Sequence, residues 1–243
     1  MDLMINENNI VVSNTPGVLT NTVAEHAVSL MLASSHRVVE ADTFTRAGKY
    51  IGWEPELLLG NDLSGKTIGI AGLGRIGARV AYHLHWGFDA RIFYYDIARN
   101  ENFEKEIGAT YFSDLRELLP QVDYLSIHVP LLDSTHHLFG SEEFSLMKDT
   151  AYIVNTSRGP VINEAELVSA LKNGDIRGAA LDVFEHEPEL TQGLRDLPNV
   201  ILTPHIASGT EETRGKMAEM AADNIIKVLS GEQAPQEVSP KKG

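Results

Sequence analysis

Residues 66–77, KTIGIAGLGRIG, restrict the fold of this chain more than any other stretch. An apolar, strand-forming run leads straight into Gly72-Leu73-Gly74-Arg75-Ile76-Gly77, and a helical pattern opens at Arg75. A strand that turns through glycines into a helix leaves the helix's first N–H groups without partners, and with the helix dipole they make a site for an anion. Gly72 permits the tight turn, Gly74 puts no side chain between backbone and a bound pyrophosphate, and Gly77 lets the helix pack closely on the sheet. Nineteen residues beyond Gly77, at the end of RIFYYD, stands Asp96. A carboxylate there accepts hydrogen bonds from both ribose hydroxyls and repels a 2′-phosphate, so the pattern predicts NAD rather than NADP as cofactor. Arg99, three residues on, is a cation that would soften that preference.

The alternation of strand and helix continues along the chain. Strands are predicted at about 66–71, 90–95, 124–129, 151–156, 178–183 and 200–203, with helices at about 75–86, 101–107, 114–119, 142–147 and 163–173. The strands are unbroken apolar runs, as expected where both faces are covered. Such alternation implies right-handed crossovers, and the predicted fold class is α/β, a doubly wound parallel sheet of Rossmann type. Asn163, with Glu166 three residues later and Gly174 at the far end, frames one helix with a capping-box pattern and a terminal glycine. Before the glycine turn, IVVS (10–13) reads as a short strand. One long helix is expected over residues 20–47, with Val23, Ala27, Leu30, Met31 and Val38 as its stripe and Gly48 as its stop. A last helix is expected at about 210–230, and residues 232–243 read as a frayed tail.

Composition narrows the function. Twenty Lys and Arg against 34 Asp and Glu give a net charge of −14, which argues against nucleic acid and against an anionic membrane surface. The absence of Cys removes disulfides, thiolate chemistry and Cys-type zinc sites, and fits a cytoplasmic protein. No apolar run approaches the ~18 residues of a membrane span. His83 and His85 are two apart on a helix and face different ways, and His136 and His137 complete no ligand set, so no metal is expected.

Several long blocks carry more information than the glycine motif alone: NTPGVLTNTVAEHAVSLML, HVPLLDSTHHL, VNTSRGPVINEAELVSAL, GAALDVFEHEP and NVILTPHIASGTEETR. Together with the Gly72–Gly77 turn they resemble the D-isomer-specific 2-hydroxyacid dehydrogenases, nearest to the glyoxylate/hydroxypyruvate reductases. The resemblance implies NAD-dependent reduction of a small 2-oxo acid to the D-2-hydroxy acid, with Arg158, Glu187 and His205 as catalytic residues. The chemistry suits those residue types. Histidine donates a proton near neutral pH, a carboxylate fixes its tautomer, and arginine grips a carboxylate through paired hydrogen bonds. Glu185 is a rival for Glu187 on residue type alone. The resemblance places Asp182 at the nicotinamide carboxamide, His128, Val129 and Pro130 beside the adenosine, and Thr156 and Ser157 on the nicotinamide side. It adds Thr22, Arg75, Ile76, His205 and Ser208 to the cofactor's neighbours.

The resemblance also implies a division of the chain: 1–19 as the remnant of a substrate-binding, flavodoxin-like domain, 20–208 as the NAD-binding domain, 209–231 as a helix returning toward the substrate domain, and 232–243 as tail. Members of the family carry a substrate-binding segment before the NTPG block, whereas here only about 18 residues precede the long helix. The alternative expectation is therefore an NAD(H)-binding module or inactive fragment. The family's use of the long helix and following loop as a dimer contact implies a homodimer through residues 20–60.

Overall fold

The computed structural model describes residues 10–238. Seven strands form a single sheet: β1 (Thr67–Ala71), β2 (Arg91–Tyr95), β3 (Thr110–Phe112), β4 (Tyr124–Ile127), β5 (Tyr152–Asn155), β6 (Gly178–Leu181) and β7 (Val200–Leu202). Every neighbouring pair is parallel, and the order is β3-β2-β1-β4-β5-β6-β7. The order reverses between β1 and β4, the switch point at which open α/β sheets bind ligands.

The crossovers run through α3 (Arg75–Phe88), α4 (Glu101–Ile107), α5 (Leu115–Leu118), α6 (Ser141–Leu146) and α7 (Glu164–Asn173). Strands β1, β4, β5 and β6 are buried at every position, which explains their continuous apolar runs. Successive side chains leave a strand on opposite faces, so the sheet divides the interior into two layers. Leu125, Ile127, Phe139, Phe144 and Leu167 belong to one, and Met31, Ile68, Ile70, Leu84 and Tyr94 to the other. Asn163 caps α7 by accepting from Glu166 N–H, but the Glu166 carboxylate turns to Ser141 N–H, so the reciprocal half of the expected box is not made.

The structure departs from the local expectations at four places. Residues 20–47 are not one helix but α1 (Thr20–Ser35) and α2 (Val38–Arg46), separated by Arg37 in a left-handed conformation (φ 53°). The Ser35 carbonyl, which a continuous helix would offer to residue 39, instead accepts Asn61 N–H at 2.8 Å. Gly60 lies so close that a Cβ there would sit 2.2 Å from the same oxygen. The returning loop therefore takes the bond that would have continued the helix. β3 has no counterpart among the predicted strands; its three residues pair only with β2 at the sheet edge. Residues 10–13 make no regular strand, and only Ser13 forms a bridge, antiparallel to Glu237. That bridge belongs to a held segment, contrary to the frayed tail expected. Val238 N–H donates to Val12 C=O at 2.7 Å and Gln236 N–H to the Asn224 side chain at 3.1 Å. Residues 1–9 and 239–243, parts of the expected remnant and tail, lie outside the described residues.

The chain divides into two compact units. One is Val23–Ala207, which contains the whole sheet. The other combines the described residues up to Thr22 with those from Ser208 onward, including the whole of α8 (Glu211–Leu229). Within this second unit the Thr22 and Thr213 hydroxyls bond at 2.6 Å, and Thr210 caps α8 through Thr213 N–H. Among the described residues no helix is long and apolar enough to cross a membrane.

Candidate active site

A parallel sheet brings all its strand ends to one rim. Gly72, Asp96, His128, Thr156 and Asp182 each follow directly on the last residue of β1, β2, β4, β5 and β6. His205 stands three residues past β7 on the same rim.

The glycine turn is held from beneath. Gly72 has φ 96°, and a Cβ on it would meet the backbone of His128 and Val129 at 2.8 Å. A Cβ on Gly77 would lie 2.1 Å from the Gly72 carbonyl oxygen. Gly74 is the opposite case, with nothing within 4 Å of its absent Cβ. Two glycines are thus required by the protein's own packing, and the third leaves open space where the first turn of α3 begins with Arg75 and Ile76. This fits a bound diphosphate. Asp96 braces the turn, accepting from Leu73 N–H at 2.7 Å and Ala98 N–H at 3.2 Å. With Leu73 and Arg99 it lines a cavity of about 560 Å³, room for an adenosine ribose. His128 N–H bonds to Ala71 C=O, and its ring lies 2.8 Å from the Ser126 hydroxyl. Burial pushes that imidazole down to about 4, so it is neutral at pH 7. Val129 is buried and Pro130 exposed.

On the other half of the rim, His205 Nδ1 and Glu187 Oε2 are 2.9 Å apart. The second Glu187 oxygen accepts Phe184 N–H at 3.0 Å, closing its own turn. Burial works to raise the Glu187 carboxyl, but the His205 ring and the Phe184 N–H outweigh it and hold the group below its ordinary range. The rival acid is otherwise engaged. Glu185 accepts from the His137 ring at 2.7 Å and from Glu164 N–H at 3.1 Å, while its own N–H donates to the buried Glu164 carboxylate.

His205 has φ 53°, a conformation disfavoured for a residue with a side chain. Asp182 stabilises it. His205 N–H donates to Asp182 C=O at 2.9 Å, and the carboxylate accepts Ile206 N–H, Ala207 N–H and the Thr203 hydroxyl at 2.9, 2.8 and 2.6 Å. The His26 ring of α1 lies 3.3 Å from the same carboxylate. Asp182 is fully buried; burial alone would raise its pKa, and His26, Thr203 and the two N–H groups together lower it. Its carboxylate is the fastening of the His205 loop. His26 was not among the sequence candidates, although it falls on the Val23–Ala27–Leu30 stripe, where a polar side chain signals a buried partner.

Arg158 follows β5 on a turn folded around Asn155, whose side chain accepts from Ser157 N–H and Oγ and donates to Arg158 C=O. The guanidinium is exposed, and Nη1 contacts Ser157 C=O at 2.6 Å. Gly159 presses that turn onto the Glu187 loop, since a Cβ on it would lie 1.9 Å from the Phe184 carbonyl. The buried Thr156 hydroxyl has no partner among the described residues. Thr22 and Ser208 fall in the second unit, where Thr22 pairs with Thr213 and the Ser208 carbonyl accepts from Thr210 N–H and Arg214 Nε. Among the described residues no three His, Asp or Glu side chains cluster as a metal site would require.

A dinucleotide turn at the switch point and a carboxylate-bonded imidazole on the same rim define a nicotinamide-dependent oxidoreductase. Residues 28–207 match the family model described as "D-isomer specific 2-hydroxyacid dehydrogenase, NAD binding domain". Glyoxylate reductases of Korarchaeum cryptofilum and Thermofilum pendens are 50% and 52% identical, over 95% and 93% of this chain and 69% and 67% of theirs. Among solved structures, the TT0316 protein from Thermus thermophilus aligns at TM-score 0.91 and 40% identity, over 98% of this chain and 75% of that one. An NADPH-dependent glyoxylate/hydroxypyruvate reductase from Sinorhizobium meliloti, in complex with NADP and malonate, aligns at TM-score 0.89 and 36% identity, over 98% and 74%. The chain belongs to the D-isomer-specific 2-hydroxyacid dehydrogenase family and is an NAD-dependent oxidoreductase of 2-oxo acid chemistry.

Proposed function

We propose that the protein reduces glyoxylate, hydroxypyruvate or a 2-oxo acid of similar size to the D-2-hydroxy acid, with His205 as proton donor. The observation that carries this reading is the 2.9 Å bond between His205 Nδ1 and Glu187. With Nδ1–H given to the carboxylate, the transferable proton of the imidazolium sits on Nε2, and Glu187 stabilises the charged ring. Arg158 binds the substrate carboxylate and polarises the neighbouring carbonyl, the recognition for which a planar guanidinium is suited. NADH, which the Gly72–Gly77 turn would hold with Asp96 at its adenosine ribose, would supply the hydride and leave as NAD+. The relatives named glyoxylate reductase support the small acceptor.

The test is NADH consumption by the purified protein across a panel of 2-oxo acids, compared with His205→Ala. Turnover of glyoxylate or hydroxypyruvate that the substitution removes is expected. Tight NADH binding without turnover of any acid would sink the enzymatic reading and favour a binding module.

The reading extends to a homodimer through residues 20–60. Ile51 and Trp53 are 88% and 83% exposed on the loop after α2, a costly display for a monomer. A groove of about 720 Å³ is lined in part by Val39 and Phe44 of α2 and by Leu197 and Val200. Light scattering at micromolar concentration should give twice the chain mass, and Trp53→Glu should halve it.

A further inference from the structure

Arg99 ought to make the cofactor site ambiguous. It lines the same cavity as Asp96, and a guanidinium in that position recognises a phosphate monoester through paired hydrogen bonds. The structure keeps it engaged elsewhere. Arg99 Nε donates to the two carboxylate oxygens of Glu104 at 2.9 and 3.2 Å, and Nη2 donates to Oε2 at 2.7 Å. The Arg99 side chain is 57% exposed, but Glu104 is only 14% exposed and is fixed in turn. Tyr94, wholly buried in the core, donates its hydroxyl to Glu104 Oε1 at 2.8 Å, and its oxygen accepts Asn100 N–H at 2.7 Å. One end of the pair is therefore anchored in the interior, whereas the other would be free to swing if released.

We propose that Glu104 is a specificity-determining residue, which holds Arg99 away from the cofactor's 2′-phosphate position and so keeps a latent NADP pocket switched off. The proposal rests on the reading that Asp96 faces the adenosine ribose. Two acids then act in series: Asp96 repels a 2′-phosphate, and Glu104 withholds the cation that would neutralise it. A site guarded by Asp96 alone would need one substitution to accept NADPH well, whereas this one needs two.

The experiment is fluorescence titration of NADH and NADPH into the wild-type protein, Asp96→Ala, Glu104→Gln, the double variant, and the double variant with Arg99→Ala. Glutamine keeps an acceptor for Tyr94 while giving up the charge that holds Arg99; Glu104→Ala serves as a second variant should glutamine fold poorly. Asp96→Ala should raise NADPH affinity relative to NADH about tenfold, and the double variant should exceed the product of the single effects by about another tenfold, because the freed guanidinium adds charge-assisted bonds. Adding Arg99→Ala should erase that excess. A folded double variant no better than Asp96→Ala overturns the proposal, as does a Glu104 substitution that lowers the melting temperature while the NADPH-to-NADH ratio stays fixed. Failure of the underlying reading looks different: Asp96→Ala alone would leave the ratio unmoved, and the proposal would fall with it.

Discussion

Of the two halves of the rim, the one around Gly72 is made from a single stretch of chain with a little bracing, and the one around His205 is gathered from four. The glycine turn needs only β1, the start of α3 and the backbone of His128 and Val129 beneath it. The His205 loop needs Asp182 from the end of β6, His26 from α1 and Glu187 from a separate turn. The first half works through missing atoms and free N–H groups; the second works through side chains whose positions depend on one another. Defects should therefore stay local in the first half and spread in the second.

Four measurements would break or sharpen that contrast. His205→Ala should lower kcat by about 10²–10⁴-fold, the usual contribution of a positioned proton donor, with a much smaller change in NADH affinity. An equal loss of NADH affinity would merge the two halves into one functional unit. In the glycine turn, Gly77→Ala forces a Cβ against the Gly72 carbonyl and should cost about 1–3 kcal/mol of stability along with most NADH binding. Gly74→Ala meets no protein atom and should cost about 0.5 kcal/mol, yet weaken NADH binding at least about tenfold by filling the ligand's space. Equal melting temperatures and equal NADH affinities for these two variants would remove the distinction between packing and ligand glycines.

Asp182→Asn should destabilise the fold by about 2 kcal/mol, since the negative charge that accepts from two N–H groups and a hydroxyl is lost. It should also lower kcat, although Asp182 itself is buried. A change in stability with kcat intact would show that the loop keeps His205 aligned without its fastening. The smallest effect concerns pH. Asp182 and Glu187 are both held below their ordinary range, so they stabilise the fold above their unfolded values and lose that contribution as pH falls through the folded ones. The melting temperature should hold steady down to about pH 5 and drop below about pH 4, and Asp182→Asn should make that drop shallower.

The same contrast explains what could be read from the sequence. The sheet and its glycine turn were legible because six of the seven strands fall on apolar runs and the turn's requirements fall within six residues. Residue types alone left Glu185 and Glu187 level, because the difference lies in partners far along the chain: His137 and Glu164 for one, His205 for the other. The break at Arg37 was illegible for a related reason, since the N–H that takes the Ser35 carbonyl belongs to Asn61. β3 is too short to show a pattern of its own and depends on β2. His26 looked like one more helical residue until Asp182 supplied its partner.

Gly159 has a consequence for anyone redesigning the acceptor range. Its Cα rests against the Phe184 carbonyl with no clearance for even one methyl group. The turns bearing Arg158 and Glu187 therefore behave as two gears keyed to a common shaft. A library that varies position 159 would pry them apart before it altered preference for any acid, so diversity belongs elsewhere.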